Sequence, residues 1–182
     1  IDLANLHPRV DILKPGPGVG GHCIAVDPWF IVHSAPEQTP LIQATRQVNN
    51  SKPDWVIKQT LKLTDPLSTI ACLGLSYKSD IDDLRESPAI RIVKKLAIEH
   101  PGQILVVEPN ISELPLHLKT EDNIKYCLYD DAIKQAETVI VLTDHKEFKN
   151  IDRGQLANKK IIDTRGIWRK GKKIPTGTTN SS

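Results

Sequence analysis

One cysteine of this 182-residue chain lies in a setting typical of a nucleophile. Cys23 follows a glycine-rich run at residues 16–21 (the glycine loop), with His22 directly before it and Asp27 four residues later. A thiol presented by glycines is open to a substrate, and a carboxylate one helical turn away can orient or activate a water molecule. The same spacing also fits a small buried cysteine in a turn, so the residues alone leave both interpretations open.

The glycine loop also matches the spacing G-x-G-x-x-G of dinucleotide-binding sites. That motif requires a strand before the glycines, a helix that opens on them and an acidic residue about 20 positions later. Pro15 and Pro17 stiffen the loop, and we expect Pro28 to limit any following helix to about one turn. We therefore interpret the glycines as a loop that lets a ligand approach Cys23 closely.

The other two cysteines have the surroundings of packing residues. Cys72 lies in an apolar run, and Cys127 lies between Tyr126 and Leu128. Three cysteines at irregular spacing make neither a disulfide framework nor a zinc ribbon. We therefore predict no metal site and a reducing, cytoplasmic setting.

The composition indicates a globular protein that can bury a core, with 39% hydrophobic and 25% charged residues. A net charge of +2 with scattered Lys and Arg argues against a nucleic-acid surface. No apolar run is long enough to span a membrane, and no signal peptide opens the chain. Because the chain starts at Ile1 and contains no Met, we expect it to be a piece of a longer protein.

The elements that must position Cys23 begin with a loop-rich segment followed by helices. Prolines exclude a long helix before residue 40, and residues 10–13 have the pattern of a short strand. From residue 41 to about 63 the apolar residues follow a helical spacing. Pro53 interrupts this stretch, and we place it in the first turn of a second helix.

After residue 65 the pattern changes to alternating strands and helices. Strands are predicted at residues 69–74, 103–107, 138–142 and 160–163, and helices at 87–99, 130–136 and 154–157. Runs of Val, Ile and Leu separated by helices are typical of a parallel sheet covered on both faces. We therefore predict a doubly wound, Rossmann-like α/β domain that binds its ligand beyond the carboxyl ends of the strands.

These patterns divide the chain into three parts. Residues 1–65 form the cysteine loop and central helices, and residues 66–174 form the α/β domain. The tail at 175–182 is rich in Thr, Asn and Ser and is predicted to be disordered.

Three ordered runs resemble signatures of the UDP-glucose/GDP-mannose dehydrogenase family. Residues 14–30 (KPGPGVGGHCIAVDPWF) are similar to its active-site segment, and residues 74–88 (GLSYKSDIDDLRESP) to a second signature. Residues 163–166 (DTRG) resemble a third, in the UDP-binding domain. Residues 7–9 and 23–30 look most like the branch acting on UDP-N-acetyl-D-mannosamine, whereas branches acting on UDP-glucose or UDP-N-acetylglucosamine tend to differ there.

The resemblance implies a reaction that oxidises the sugar's primary alcohol to a carboxylate with two NAD and one water. Cys23 would capture the intermediate aldehyde as a thiohemiacetal, which is oxidised to a thioester and then hydrolysed. Asp27 would orient or activate the water. By position alone, Asp27 could also cap a turn before Pro28.

The resemblance also implies binding roles. The implied contacts to the UDP-sugar are His7, Arg9, Gly20, Tyr77, Lys78 and Arg165, with His7 and Arg9 reaching it from the neighbouring subunit of a homodimer. Arg85 is the implied contact to NAD, because a guanidinium fork matches phosphate oxygens. Arg85 could also simply pair with a carboxylate of the run 82–86.

The chain departs from the complete family pattern because the amino-terminal dinucleotide domain and the catalytic Lys and Asn are missing. Such electrostatic stabilisers are each worth a factor of about 10² to 10³ in rate, so we expect these 182 residues alone to be inactive. Two other classes of function remain open. One is a module that binds a uridine nucleotide without chemistry; the other is a cysteine hydrolase using Cys23 and His22, although adjacent side chains diverge.

Overall fold

The computed structural model of the chain describes residues 1–168. The predicted tail at 175–182 and the end of the predicted segment 66–174 lie outside these residues. The helices of the described part are α1 (Asp27–Ser34), α2 (Pro40–Leu63), α3 (Pro88–Glu99), α4 (Leu116–Lys119), α5 (Tyr129–Gln135) and α6 (Lys146–Lys149). Its strands are β1 (Ile70–Leu73), β2 (Ile104–Val107), β3 (Ile124–Tyr126), β4 (Thr138–Val141) and β5 (Lys160–Asp163). Short 3-10 helices cover Ala4–Leu6, Pro36–Gln38 and Arg153–Leu156.

The five strands form one parallel sheet in the order β3-β2-β1-β4-β5. The central strand β1 pairs with β2 on one side and β4 on the other, so Ile70 aligns with both Ile104 and Thr138. The strand order reverses between β1 and β4, and the loops after these two strands therefore diverge around a crevice.

Two hydrophobic cores lie on opposite faces of this sheet. Alternate residues of β1 point to opposite faces, with Ile70 and Cys72 in one core and Ala71 and Leu73 in the other. Helices α2 and α3 cover the first face, and α5 covers the second. The predicted doubly wound parallel sheet is thereby confirmed.

The helix α3 fixes the loop that precedes it. Ser87 caps the helix, because its Oγ accepts a hydrogen bond from the N–H of Ala89 at 3.2 Å, and Pro88 occupies the first turn. Ile92 and Leu96 lie one turn apart on the same helix and are fully buried against the sheet. The end of the second signature run therefore has a fixed position at one edge of the core.

The strand predicted at residues 10–13 is wrong. No strand lies beside this segment within residues 1–168. The backbone of Ile12 is hydrogen-bonded to a side chain instead. The Oδ1 of Asn5 accepts from the N–H of Ile12 at 2.7 Å, and its Nδ2 donates to the carbonyl of Ile12 at 3.1 Å.

Both predictions that used proline to shorten helices are also wrong. Pro28 lies in the first turn of the eight-residue helix α1, where its missing N–H costs nothing. Pro53 lies inside α2, which continues through it as one helix of 24 residues. Pro53 is buried on the same face as Val56 and Ile57, so packing offsets the lost hydrogen bond.

The sequence prediction missed the edge strand β3. Ile124 and Tyr126 are only partly buried, and the exposed Lys125 interrupts the apolar run. No helix within residues 1–168 is long and apolar enough to cross a lipid bilayer.

Candidate active site

Cys23 lies in an exposed turn that leads into α1. Its carbonyl accepts hydrogen bonds from the N–H groups of Val26 at 2.9 Å and Asp27 at 2.8 Å. Asp27 is exposed and is the acidic residue of the helix's first turn, where a carboxylate interacts favourably with the helix dipole. The thiol and the carboxylate therefore belong to one continuous turn, and both are open to solvent.

The glycine loop packs directly on the second signature run. A β-carbon at Gly20 would contact the carbonyl of Glu86 and lie 2.9 Å from the β-carbon of Tyr77. A β-carbon at Gly21, whose φ is +90°, would lie 2.9 Å from the ring of Tyr77. The N–H of Gly21 also donates to the carbonyl of Arg85 at 3.1 Å. The two segments can approach this closely only because these positions carry no side chain.

Helix α2 holds the other side of the loop with polar residues that the sequence reasoning missed. The side chain of Asn49 accepts from the N–H of Val19 at 2.8 Å and donates to its carbonyl at 3.3 Å. Arg46 is buried and donates to the carbonyl of Ile24, beside the cysteine, at 3.4 Å. Arg46 and Asn49 lie on the same helix face as the buried Pro53. Polar residues on an otherwise buried face were the sequence signal that could have predicted their role.

Arg165 follows β5 and lies against the start of the glycine loop. Its Nε and Nη2 donate to Oδ1 of Asp144 at 2.9 and 2.7 Å. A β-carbon at Gly16 would contact the guanidinium group of Arg165. Asp144 follows β4, so this ion pair holds the arginine at the carboxyl edge of the sheet, where parallel folds bind ligands.

Arg85 forms a fork with Asp83, which was the simpler of the two interpretations offered for it. Its Nε and Nη2 donate to the two oxygens of Asp83 at 3.0 and 2.6 Å. The hydrogen bonds from Arg85 lower the pKa of the Asp83 carboxyl to about 2. The same hydrogen bonds and the charge of Asp83 raise the pKa of Arg85, and the nearby Tyr77 and Cys23 add to this effect. The fork with Asp83 leaves the side chain of Arg85 64% exposed.

Tyr77 and Lys78 lie on the turn between β1 and α3. The carbonyl of Lys78 accepts from Oγ of Ser76 at 2.7 Å, and its side chain is exposed. The N–H of Tyr77 donates to the carbonyl of Asp83 at 3.2 Å, and its ring covers Gly21. The turn therefore places the ring of Tyr77 against the glycine loop and leaves the side chain of Lys78 in solvent.

The structure does not bring His7 and Arg9 to the cysteine. Both are exposed, and Nδ1 of His7 accepts only from the N–H of Arg9, at 3.2 Å, among the hydrogen bonds of residues 1–168. Within the described residues of one copy, no hydrogen bond links the side chain of His7 or Arg9 to the other candidate residues.

The other cysteines lie where the sequence placed them. Burial raises the pKa of the Cys72 thiol to about 12, and burial also raises the pKa of Cys127. No hydrogen bond joins Cys23 to His22 in the described part of the chain. His22 is therefore not hydrogen-bonded to the thiol in the way that a triad places its base.

A cleft with a volume of about 900 Å³ lies between α2 and the run 82–91. Its walls include Arg46, Asn49, Arg85 and Arg91. Arg85 therefore lines this cleft, and its carbonyl accepts from the N–H of Gly21 in the glycine loop.

A doubly wound sheet with an arginine at its carboxyl edge, beside a cysteine on a glycine loop, defines a nucleotide-binding protein equipped for thiol chemistry. Two domains of one protein family match the sequence of the chain, in order. Residues 1–51 match the central domain of the UDP-glucose/GDP-mannose dehydrogenase family, and residues 71–170 match the UDP binding domain of the same family. The chain belongs to the UDP-glucose/GDP-mannose dehydrogenase family.

Several curated relatives are similar over nearly the whole chain. An NDP-N-acetyl-D-galactosaminuronic acid dehydrogenase of Ralstonia solanacearum is 49% identical over 92% of this chain and 40% of its own length. A UDP-N-acetyl-D-mannosamine dehydrogenase of Campylobacter jejuni is 54% identical over 87% of this chain and 39% of its own length. The chain therefore spans about 40% of the relatives it matches.

Solved structures agree with the fold. The UDP-N-acetyl-mannosamine dehydrogenase of S. aureus is 39% identical with a TM-score of 0.71, over 93% of this chain and 40% of that one. A GDP-mannose dehydrogenase of Psuedomonas aeruginosa is only 18% identical but has a TM-score of 0.72, over 98% and 43% of the two chains. The second match concerns the fold alone.

Proposed function

We propose that this chain supplies the nucleophile and the nucleotide-sugar site of an NAD-dependent UDP-sugar 6-dehydrogenase. The substrate is UDP-N-acetyl-D-mannosamine, and the product carries a carboxylate in place of the 6-hydroxyl. The observation that carries this proposal is the contact of the glycine loop with Arg165 on one side and Tyr77 on the other. These contacts join the thiol to the carboxyl edge of the sheet in one site.

Cys23 acts as the nucleophile. Its thiolate adds to the carbonyl carbon of the aldehyde intermediate, and the oxygen takes up a proton to form a thiohemiacetal. Loss of a hydride and of the hydroxyl proton gives a thioester, and water then displaces the thiol to release the carboxylate. The covalent bond prevents escape of a reactive aldehyde between the two oxidations.

Asp27 orients the water that hydrolyses the thioester. It lies one turn from Cys23, and its exposure leaves room for a water between the carboxylate and the sulfur. Gly20 is assigned to the substrate through its backbone, because Glu86, Pro88 and Tyr77 already occupy the space of a side chain there.

Arg165 and Lys78 bind the charged part of the substrate. The guanidinium of Arg165 is only 21% exposed and is oriented by Asp144, so it can present donors to a diphosphate without first being ordered. Lys78 adds a flexible charge, and Tyr77 contributes its backbone and ring.

NAD accepts one hydride in each oxidation when it is bound. Arg85 is the residue of this chain that fits it, because its guanidinium is exposed and lines the large cleft. Asp83 engages two of its nitrogens and orients the rest toward phosphate or ribose oxygens. The remaining contacts to the cofactor belong to the part of the relatives that this chain does not span.

The parent enzyme is a homodimer with shared active sites, in which His7 and Arg9 contact the substrate bound by the neighbouring subunit. Their exposure, which leaves them available to a neighbouring subunit, supports this assignment. We place the enzyme in the cytoplasm, where Cys23 stays a free thiol.

Two alternatives keep the same site. The sugar can be that of a UDP-glucose, UDP-N-acetylglucosamine or N-acetylgalactosamine-type dehydrogenase, and the Ralstonia relative favours the last. The second alternative is that the chain taken alone is a module that binds a uridine nucleotide without oxidising a sugar.

Calorimetric titration with UDP and with UDP-N-acetyl-D-mannosamine tests this proposal. We expect the chain to bind both, and Arg165→Ala to weaken both at least tenfold, since a charge-assisted fork is worth about 1.5–3 kcal/mol. Arg153→Ala is the matched control, because Arg153 is exposed and lies in the 3-10 helix before β5. A folded chain that binds neither ligand, together with a full-length parent that binds neither, would falsify the proposal.

A further inference from the structure

A buried acid and a buried imidazole lie at the carboxyl edge of the sheet and have no role in the chemistry above. Glu108 follows β2 and His145 follows β4, and they are 1% and 0% exposed. Oε2 of Glu108 lies 3.0 Å from Nε2 of His145. Burying two such groups is costly unless each hydrogen bond is satisfied, so their partners indicate their role.

The partners of His145 determine where its proton lies. Nδ1 accepts from the N–H of Asp80 at 2.9 Å and from the amide of Asn110 at 3.1 Å. A backbone N–H can only donate, so Nδ1 carries the lone pair and Nε2 carries the proton. The imidazole is therefore neutral and donates to Glu108.

Glu108 in turn holds the segment that follows β1. Its Oε2 also accepts from the N–H groups of Leu75 at 2.7 Å and Ser76 at 3.0 Å. Burial alone would raise the pKa of Glu108, but the hydrogen bonds from His145 and from the N–H groups of Leu75 and Asn110 outweigh it and lower that pKa. A buried carboxylate thus fixes the first two residues of the turn 75–80.

His145 holds the far end of the same turn. Asp80 has a φ of +61°, a left-handed conformation that is rare for residues other than glycine. Its N–H is bound by His145, and its Oδ1 accepts from the N–H of Lys146 at 2.9 Å. Strained residues of this kind persist where the surroundings determine them and cluster at functional sites.

The turn 75–80 contacts the glycine loop through Tyr77. The β-carbon of Tyr77 lies against Gly20, and its ring lies against Gly21, two residues before Cys23. A continuous set of contacts therefore leads from the buried His145 through the turn to the loop that carries the thiol.

We propose that His145 and Glu108 are positioning residues that clamp the turn 75–80 and thereby hold Tyr77 and the cysteine loop in the geometry that binds the substrate. The clamp itself is a statement about the fold. Its consequence for substrate affinity deepens the proposed function and rests on it.

The hydrogen bonds exclude two other roles for this cluster. Asp80, His145 and Glu147 lie close enough to share a metal ion, but Nδ1 already accepts two N–H groups. Ser76 lies 3.2 Å from Nε2, the same nitrogen that faces Glu108. A hydroxyl and an acid must bind opposite ring nitrogens to form a proton relay, so this is not one.

Two substitutions separate the two bonds of the imidazole. In His145→Asn the amide oxygen lies near the place of Nδ1 and can still accept from Asp80. In His145→Gln the amide nitrogen lies near the place of Nε2 and can still donate to Glu108, but nothing accepts from Asp80. His100→Gln is the matched control, because His100 is equally buried at the opposite end of the sheet, where its Nε2 contacts the carbonyl of Ser68.

Residue-resolved hydrogen exchange and UDP titration of the chain test the clamp. We expect His145→Gln to speed exchange at the amides of Asp80 and Gly21 about tenfold relative to His100→Gln, and to weaken UDP binding several-fold. His145→Asn should restore most of the protection. Equal exchange at both amides in His145→Gln and His100→Gln would overturn the clamp, whatever the UDP result.

The two proposals fail separately in this experiment. Faster exchange in His145→Gln together with no UDP binding by the unmodified chain supports the clamp and counts against the nucleotide site. Unchanged exchange together with UDP binding by the unmodified chain does the reverse.

Discussion

The thiol of Cys23 differs from the other two in exposure, and this difference makes it selectively reactive. The thiolate is the form that reacts, and burial raises the pKa of Cys72 to about 12. We expect iodoacetamide at neutral pH to modify Cys23 first, Cys127 more slowly and Cys72 only after unfolding. Peptide mapping by mass spectrometry measures the three rates, with Cys23→Ser as the control. Modification of Cys72 in the folded chain at the rate of Cys23 would contradict the burial described here.

The fork between Asp83 and Arg85 gives a pH dependence whose sign follows from the lowered pKa. The Asp83 carboxyl titrates near 2 in the folded chain, below its usual value of 3.8, so it stabilises the fold above about pH 4. This contribution disappears as the pH falls through 2. We expect Asp83→Asn to flatten the loss of stability between pH 4 and pH 2, measured by urea unfolding. Asp122→Asn, at an exposed carboxylate elsewhere, should leave the slope closer to that of the unmodified chain.

The residues proposed to carry chemistry stand out in the sequence, whereas the residues proposed to position them do not. Cys23 and Asp27 stand out because a glycine loop and a four-residue spacing mark them within one short run. Glu108 and His145 are separated by 37 positions, and each is ordinary in its own surroundings. The ends of β2 and β4 lie near each other because both strands flank β1 in the sheet. No local sequence pattern predicts that strand order.

At the level of elements, α2 holds the cysteine loop through Asn49. Removing its side chain deletes two hydrogen bonds to Val19 and leaves backbone groups without partners. We expect Asn49→Ala to lower the free energy of unfolding by about 1–3 kcal/mol and to speed exchange at the amide of Val19. Gln47→Ala, at an exposed position of the same helix, is the control. Equal stability of the two variants would show that Asn49 does not hold the loop.

The elements themselves were predictable where burial is uniform. The strands β1, β2 and β4 are fully buried, and their apolar runs predicted them directly. The predictions failed at Pro28 and Pro53 because proline was treated as a helix breaker. In the first case it lies at a helix start, and in the second tertiary packing outweighs local preference.

At the scale of the whole molecule, α2 packs against one face of the sheet and shares its hydrophobic core. Ile57 is 2% exposed and packs in the same core as Ile70 and Ile104. We expect Ile57→Ala to cost about 2–5 kcal/mol of stability, and Val48→Ala, at an exposed site of α2, to cost less than about 0.5 kcal/mol. Urea unfolding followed by fluorescence measures both.

The same experiment examines the predicted boundary at residue 65, which stays a prediction. Trp55 lies on α2, and Trp168 packs in the other core of the sheet. In variants that keep one of these tryptophans, we expect coincident transitions, because the helix and the sheet share their apolar surface. An earlier transition at Trp55 would instead support two independent folding units.

The contact between Arg165 and Gly16 has a thermodynamic consequence. An anion that draws the guanidinium from Asp144 must change the packing beside the first glycine of the loop, seven residues before the thiol. If occupancy of the arginine alters the equilibrium constant for adduct formation at the sulfur by some factor, then a group attached to the sulfur alters the affinity for the anion by that same factor. Binding of a diphosphate and formation of an adduct at the sulfur are then coupled equilibria, so a change in one can be measured through the other.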